Sequence, residues 1–135
     1  GFVPLQHVRA ISDAATDPAA VATIFLGAPY LWGGNTQSGI DCSGLVQAAL
    51  LACHVSCPGD SDQQCASLGT ALPKDAAFQR NDLLFWKGHV AIVTDGKTMI
   101  HANAGHMATT FEPIKAAIAR IKQNGDGDVI AHKRL

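Results

Sequence analysis

The chain has 135 residues, enough for one domain with a buried core. Hydrophobic residues make up 47% and charged residues 16%, and the formal net charge is -1, which excludes a disordered chain and a basic surface for nucleic acid or anionic membrane. No apolar run approaches the ~20 residues of a membrane-spanning helix, and Gly1 opens without the basic start and apolar block of a signal peptide.

Residues 1–12 read as an extended arm, because Phe2-Val3-Pro4 favours β or polyproline geometry. Asp17 reads as an N-cap with Pro18 at the first helical position, opening a helix from Ala19 to Leu26 that Gly27 ends. Val21, Ile24 and Phe25 are its expected buried face. A glycine-rich approach, Trp32-Gly33-Gly34, then leads to Asp41-Cys42-Ser43-Gly44.

The central helix is expected from about Ser43 to Cys53, buried through Leu45, Val46, Ala49 and Leu50. A thiol in its first turn meets the positive end of the helix dipole and unpaired N–H groups, which favour the nucleophilic thiolate. Cys57-Pro58-Gly59-Asp60-Ser61 is a turn, and Ser61 or Asp62 caps a short helix through Cys65. Cys53, Cys57 and Cys65 fit reduced, packed thiols; a Cys57–Cys65 disulfide and a metal site with His54 are the alternatives. Unpaired cysteines lean towards a reducing compartment.

From Asp82 the pattern changes to strands. Leu83–Trp86 and His89–Val93 are two strands, Asp95-Gly96 is a hairpin signal, and Thr98–Asn103 is the return strand. Met107–Phe111 is a further strand, Glu112-Pro113 starts a helix closed by Asn124-Gly125, and Val129–Leu135 is a last strand. The whole reads as α+β with a mostly antiparallel sheet.

His89 and His101 lie on the two arms of that hairpin. A two-residue turn at Asp95-Gly96 puts them on opposite faces. A three-residue turn, Thr94-Asp95-Gly96 with Gly96 left-handed, pairs Val93 with Lys97 and sets His89 directly opposite His101, Cβ atoms ~5 Å apart. A cooperating pair of imidazoles requires the second register. His7, His54, His106 and His132 read as ordinary structural or surface histidines.

Pro29-Tyr30-Leu31-Trp32-Gly33-Gly34, Asp41–Gln47, Asp60-Ser61-Asp62-Gln63-Gln64, Gly88–Ile92 and Ile100–Asn103, in this order, resemble the NlpC family of papain-like cell-wall peptidases. The likeness runs from about Phe25 to Asn103. It implies a papain-like α+β fold with the nucleophile at the start of the central helix. The implied activity is cysteine endopeptidase cleavage of peptidoglycan stem peptides after γ-D-glutamate, before meso-diaminopimelate or lysine. By resemblance Cys42 is the nucleophile, His89 the general base and acid, and His101 the group that orients His89. Tyr30, Asp41, Ser43, Asp60 and Ser61 become substrate-binding candidates. Asp41 either holds a substrate ammonium or caps the helix. No cofactor or metal is implied, and the expected partner of a monomeric protein is a muropeptide. Relatives often carry arginine where Gly59 stands, which removes a cation from the implied pocket. Gly1-Phe2-Val3-Pro4 resembles the last strand of a bacterial SH3-like domain, so residues 1–16 are expected to be an arm or remnant and 17–135 the catalytic domain. An amidase or acyltransferase of the same fold, or an inactive cell-wall-binding module, is the alternative.

Overall fold

The structure, a computed structural model, describes residues 1–5 and 8–135; the expectations for Gln6 and His7 lie outside the described residues. In chain order the elements are α1 (Pro18–Thr23), β1 (Asn35–Thr36), β2 (Gly39–Ile40), α2 (Cys42–Ala52), α3 (Ser61–Ser67), β3 (Thr70–Ala71), β4 (Leu83–Trp86), β5 (His89–Val93), β6 (Thr98–Asn103), β7 (Ala108–Pro113), α4 (Ile114–Gln123) and β8 (Ala131–Arg134). Six strands form one sheet in the order β3-β8-β4-β5-β6-β7, with every neighbouring pair antiparallel.

Both faces of that sheet are covered, which is why β4 and β5 read as continuous apolar runs rather than alternating ones. Alternation still decides which residue meets which helix. Phe85, Val90, Ile92, Ile100 and Ala102 pack with Leu45, Val46, Ala49 and Leu50 of α2. Leu84, Trp86, Ala91, Val93 and Met99 pack with Ile114, Ala117 and Ile121 of α4. Fully burying each large apolar side chain contributes roughly 1.5–3 kcal/mol, so α2 is held along its length. Asp17 caps α1 as its sequence suggests, accepting from the Ala20 amide at 3.4 Å. The fully buried residues of α1 are Pro18, Ala19 and Ala22; Val21 and Phe25 are half-buried against the same core, as expected, and Ile24 is exposed. Small residues win here because α1 lies close against α2.

The hairpin between β5 and β6 takes neither turn considered from the sequence. Ile92 pairs with Ile100 and Val93 with Met99, leaving Asp95-Gly96-Lys97 as the turn. The Asp95 carboxylate accepts from the amides of Lys97 and Thr98, both at 2.8 Å, and Thr94 bonds Thr98, so Thr94 remains in the ladder. Gly96 is not left-handed, and the anticipated bulge does not form. Extended, this register sets Ala91 opposite His101 and Asn103 opposite His89. The shift from the anticipated pairing is two residues, which preserves parity. The two histidines therefore share a face as diagonal neighbours, not directly opposite ones.

Glu112 and Pro113 belong to β7, and α4 begins at Ile114. Glu112 is pinned in the ladder opposite Met99, and proline holds the last strand position at an edge, where its missing N–H is tolerated. The last strand is shorter than anticipated, Ala131–Arg134, between β3 and β4.

Candidate active site

The site is built from the start of α2 outward. Asp41 is the N-cap: its Oδ1 accepts from the Gly44 amide at 2.7 Å and from the Ser43 hydroxyl at 3.2 Å. Its Oδ2 accepts from the Gly33 amide at 2.8 Å, and its own amide donates to the Gly34 carbonyl at 3.0 Å. One carboxylate thus ties the glycine-rich loop to the helix. The Gly34 carbonyl presses so closely on Gly44 that a Cβ there would collide with it. This close approach explains the glycine at position 44 and fixes the residue two before it.

Cys42 is the first residue of α2 and is only 8% exposed. Its Sγ lies 3.9 Å from the Gly88 carbonyl, and the amides of Val90, Ser43 and Cys42 itself point at it. The sulfur therefore rests against the backbone on both sides of His89. Burial pushes the thiol pKa up, the Asp41 carboxylate adds to this, and the three amides offset it only in part. The helix start does not make a resting thiolate, contrary to the expectation from sequence, because desolvation outweighs the helix dipole.

His89 and His101 meet at 2.8 Å, Nε2 to Nδ1. His101 is fully buried and its Nε2 lies 3.0 Å from Glu112 Oε2. Glu112 in turn receives a forked pair from Arg120, Nε at 2.9 Å and Nη2 at 2.8 Å. That guanidinium holds the Glu112 carboxyl below the usual carboxylate range. An ionised carboxylate only accepts, so His101 carries its proton on Nε2 and offers a bare Nδ1. His89 must then donate from Nε2, which leaves its own Nδ1 bare. Burial, with repulsion from His101, pushes His89 down to about 3; burial pushes His101 down to about 4 against the pull of Glu112. At neutral pH the site holds a neutral thiol and two neutral imidazoles of fixed tautomer.

Two cavities meet at Tyr30, Cys42 and Gly88. One, of about 410 Å³, also contains His89, Lys87 and Arg120. The other, of about 420 Å³, contains Asp41, Ser43, Asp60 and Ser61. All eight site residues singled out from sequence except His101 therefore line the two cavities, and His101 lies directly behind His89. Tyr30 is near enough to Cys42 and Asp41 that burial and their charges raise its pKa. Asp60 occupies the N-cap position of α3 without making a capping bond, so its carboxylate is left to the cavity. Asp41 performs the capping role.

The four cysteines are unpaired: Cys42 and Cys57 are buried, while Cys53 and Cys65 are partly so. Burial raises Cys57 to about 11. Among the described residues, His101, His106 and Glu112 form the one group of three potential metal ligands, their ligand atoms within 4.8 Å of one another. All three are already engaged, His101 with Glu112, Glu112 with Arg120 and His106 with Asn103. His132 bonds the buried Asp82 at 2.7 Å.

Glu112 and Arg120 went unrecognised in the sequence. Glu-Pro is a helix-start pattern, and Arg120 lies on the polar face of an amphipathic helix. The signal that finds Glu112 is strand alternation: His101 pairs with Thr110, and Glu112, two residues on, shares its face.

The profile of the NlpC/P60 family matches residues 27–126. A γ-D-glutamyl-L-lysine dipeptidyl-peptidase of Bacillus subtilis is 38% identical over 108 residues, covering 74% of this chain and 35% of that protein. The chain thus spans about a third of that relative's length. Among solved structures, an NlpC/P60 family protein from Bacillus cereus superposes with TM-score 0.71 at 28% identity, over 87% of this chain and 39% of that one. The peptidoglycan hydrolase RipB of Mycobacterium tuberculosis gives TM-score 0.71 at 27% identity, over 87% and 62%.

Proposed function

From the premise that the chain belongs to the NlpC/P60 family, we propose that it is a cysteine peptidase that hydrolyses the γ-D-glutamyl–diamino acid amide of peptidoglycan stem peptides. The observation that carries the chemistry is the run from Cys42 to Arg120. A buried thiol shares a cavity with an imidazole whose bare nitrogen is fixed by a chain of hydrogen bonds ending on a clamped carboxylate. The names of the relatives support the substrate class.

Cys42 gives its proton to Nδ1 of His89 as sulfur attacks the γ-carbonyl carbon. The negative oxygen of the tetrahedral intermediate is placed near the amides at the start of α2 and the Tyr30 hydroxyl. The imidazolium that forms is stabilised through His101 by Glu112. His89 then protonates the departing amine, the C–N bond breaks, and a γ-thioester remains on Cys42. Water, losing its proton to His89, attacks the thioester. Sulfur leaves, takes the proton back, and the glutamyl carboxylate is released. His101 orients His89; Glu112 and Arg120 fix the tautomer of His101.

Mass spectrometry of L-Ala-γ-D-Glu-meso-diaminopimelate after incubation with the protein tests the bond assignment. The expected products are L-Ala-D-Glu and the free diamino acid. Release of free L-alanine, or an uncut peptide, would reject the assignment.

A further inference from the structure

We propose that Gln64 is a positioning residue for the acyl side of the site. Its buried carboxamide holds α3, and with it the cavity wall that receives the γ-D-glutamyl part of the substrate, against the helix that carries Cys42. This rests on the peptidase reading above and adds the residue that sets how firmly the acyl part is bound.

His89 must protonate the departing amine, so the cavity that contains His89 takes the leaving group. The acyl part then lies in the other, where α3 and its N-cap supply Asp60, Ser61, Asp62 and Gln63. That wall has few supports of its own. α3 has 7 residues, too few to persist as an isolated helix. Its N-cap makes no capping bond, and Gln64 is its one fully buried residue. Cys65 is half-buried against the core.

Gln64 lines neither cavity. Its Nε2 donates to the Ser43 carbonyl and to the Pro58 carbonyl, both at 2.9 Å. Two carbonyls on one side fix the amide's orientation, because only its NH₂ can face them. Both acceptors are themselves anchored to α2. The Ser43–Gly44 peptide is held at its other end by Asp41, which accepts from the Gly44 amide at 2.7 Å. The turn at Pro58 is held by Gln47 of α2, whose Nε2 donates to the Cys57 carbonyl at 3.0 Å. Gln64 thus joins α3 to two fixed points. Its Oε1 is buried and meets no donor among the described residues, a cost that a methionine of similar length would not carry. The carboxamide is therefore not there to fill space.

When the tie is cut, the less supported helix moves. α2 is buried along its length and capped by Asp41, and α3 has neither support. Loss of the carboxamide displaces the wall and leaves Cys42 and His89 in place. Contacts that hold ground state and transition state alike appear in KM, not in kcat.

The experiment measures kcat and KM for L-Ala-γ-D-Glu-meso-diaminopimelate with the wild-type chain, Gln64→Met and Gln64→Asn. Amide hydrogen exchange and iodoacetamide alkylation of Cys42, both read by mass spectrometry, accompany it. Methionine keeps the length and removes both N–H donors; asparagine keeps the amide one methylene short of its acceptors. In each variant KM should rise about 10-fold, as the loss of one or two neutral hydrogen bonds gives, with kcat within about threefold of wild type. Residues 61–67 should exchange faster, and Cys42 should be alkylated at the wild-type rate. A merely structural role would lower stability and leave the KM of the folded protein alone. KM within about twofold of wild type in a folded variant, a loss of kcat at unchanged KM, or failure of both variants to fold overturns the positioning role while leaving the peptidase reading standing. A peptide left uncut by the wild type overturns that reading and the positioning role with it.

Discussion

Replacing Glu112 with glutamine preserves shape and removes one charge, and it separates a positioning role from a packing role. Oε1 of Glu112 accepts from Arg120 Nε; Oε2 accepts from Arg120 Nη2 and from His101 Nε2. An amide cannot serve all three donors. With its oxygen towards His101, its NH₂ opposes the N–H of Arg120 Nε. Turned over, the NH₂ faces His101, which must then move its proton to Nδ1. That proton points at His89 Nε2 and drives the His89 proton onto Nδ1, the nitrogen that must be bare to receive the thiol proton. Hydrogen bonds to charged groups contribute ~1.5–3 kcal/mol against ~0.5–1.5 for neutral ones, so loss of the charge alone costs about 1 kcal/mol. The inverted tautomer adds more, up to the loss on the order of 10⁴ in kcat seen when a triad carboxylate in another enzyme becomes an amide. For Glu112→Gln we expect kcat to fall by roughly 10²- to 10³-fold with little change in KM. Steady-state cleavage of the diaminopimelate tripeptide from about pH 5 to pH 9 measures this, with urea unfolding as the check on folding. A folded variant with kcat within about twofold of wild type would refute the tautomer argument.

His89→Ala removes the proton-transfer group and should lower kcat by about 10²- to 10⁴-fold. His101→Ala should cost less, about 10- to 100-fold, because it leaves one buried N–H without its acceptor; the same cleavage assay ranks the two, and the reverse order would contradict their assigned roles. Since burial raises the Cys42 pKa and lowers that of His89, the resting site holds no ion pair. Iodoacetamide alkylation of Cys42, followed by intact-mass spectrometry, should therefore keep accelerating as pH rises past about 9. A plateau at neutral pH would show a thiolate–imidazolium pair instead. Asp82 is fully buried and accepts from His132, from Arg134 twice at 2.8 Å and from the Gln79 amide. Asp82→Ala should destabilise the fold by about 1–3 kcal/mol in urea unfolding, because the buried His132 and the Gln79 amide lose their acceptor while the half-exposed Arg134 can turn to water; an unchanged stability would contradict it.

What was legible in the sequence was what short-range patterns encode. β5 and β6 were read with the bounds the structure gives them, because apolar runs interrupted by Lys87-Gly88 and Asp95-Gly96 leave few alternatives. The start of α2 was legible from Asp41 and the apolar stripe behind it. The register of the hairpin was not, since the Asp95 side chain sets it by closing the turn on Lys97 and Thr98. Of the three apolar residues expected to face the core from α1, Val21 and Phe25 do so and Ile24 does not, because closeness to α2 gives the innermost places to Ala19 and Ala22. Glu112 and Arg120 were missed for a related reason. Their partners are a strand away and a helix away, and nothing local distinguishes them from a helix start and a solvated face. The Cys42 pKa was misjudged because a helix terminus is visible in sequence and desolvation is not.

The central claim is that Cys42 is the atom-bearing nucleophile of a γ-D-glutamyl amide hydrolase. The most direct measurement is product analysis by mass spectrometry with L-Ala-γ-D-Glu-meso-diaminopimelate, comparing wild type and Cys42→Ala, each shown to be folded. The account predicts L-Ala-D-Glu and free diaminopimelate from the wild type and neither from Cys42→Ala. Cleavage of that bond by Cys42→Ala at the wild-type rate would contradict it.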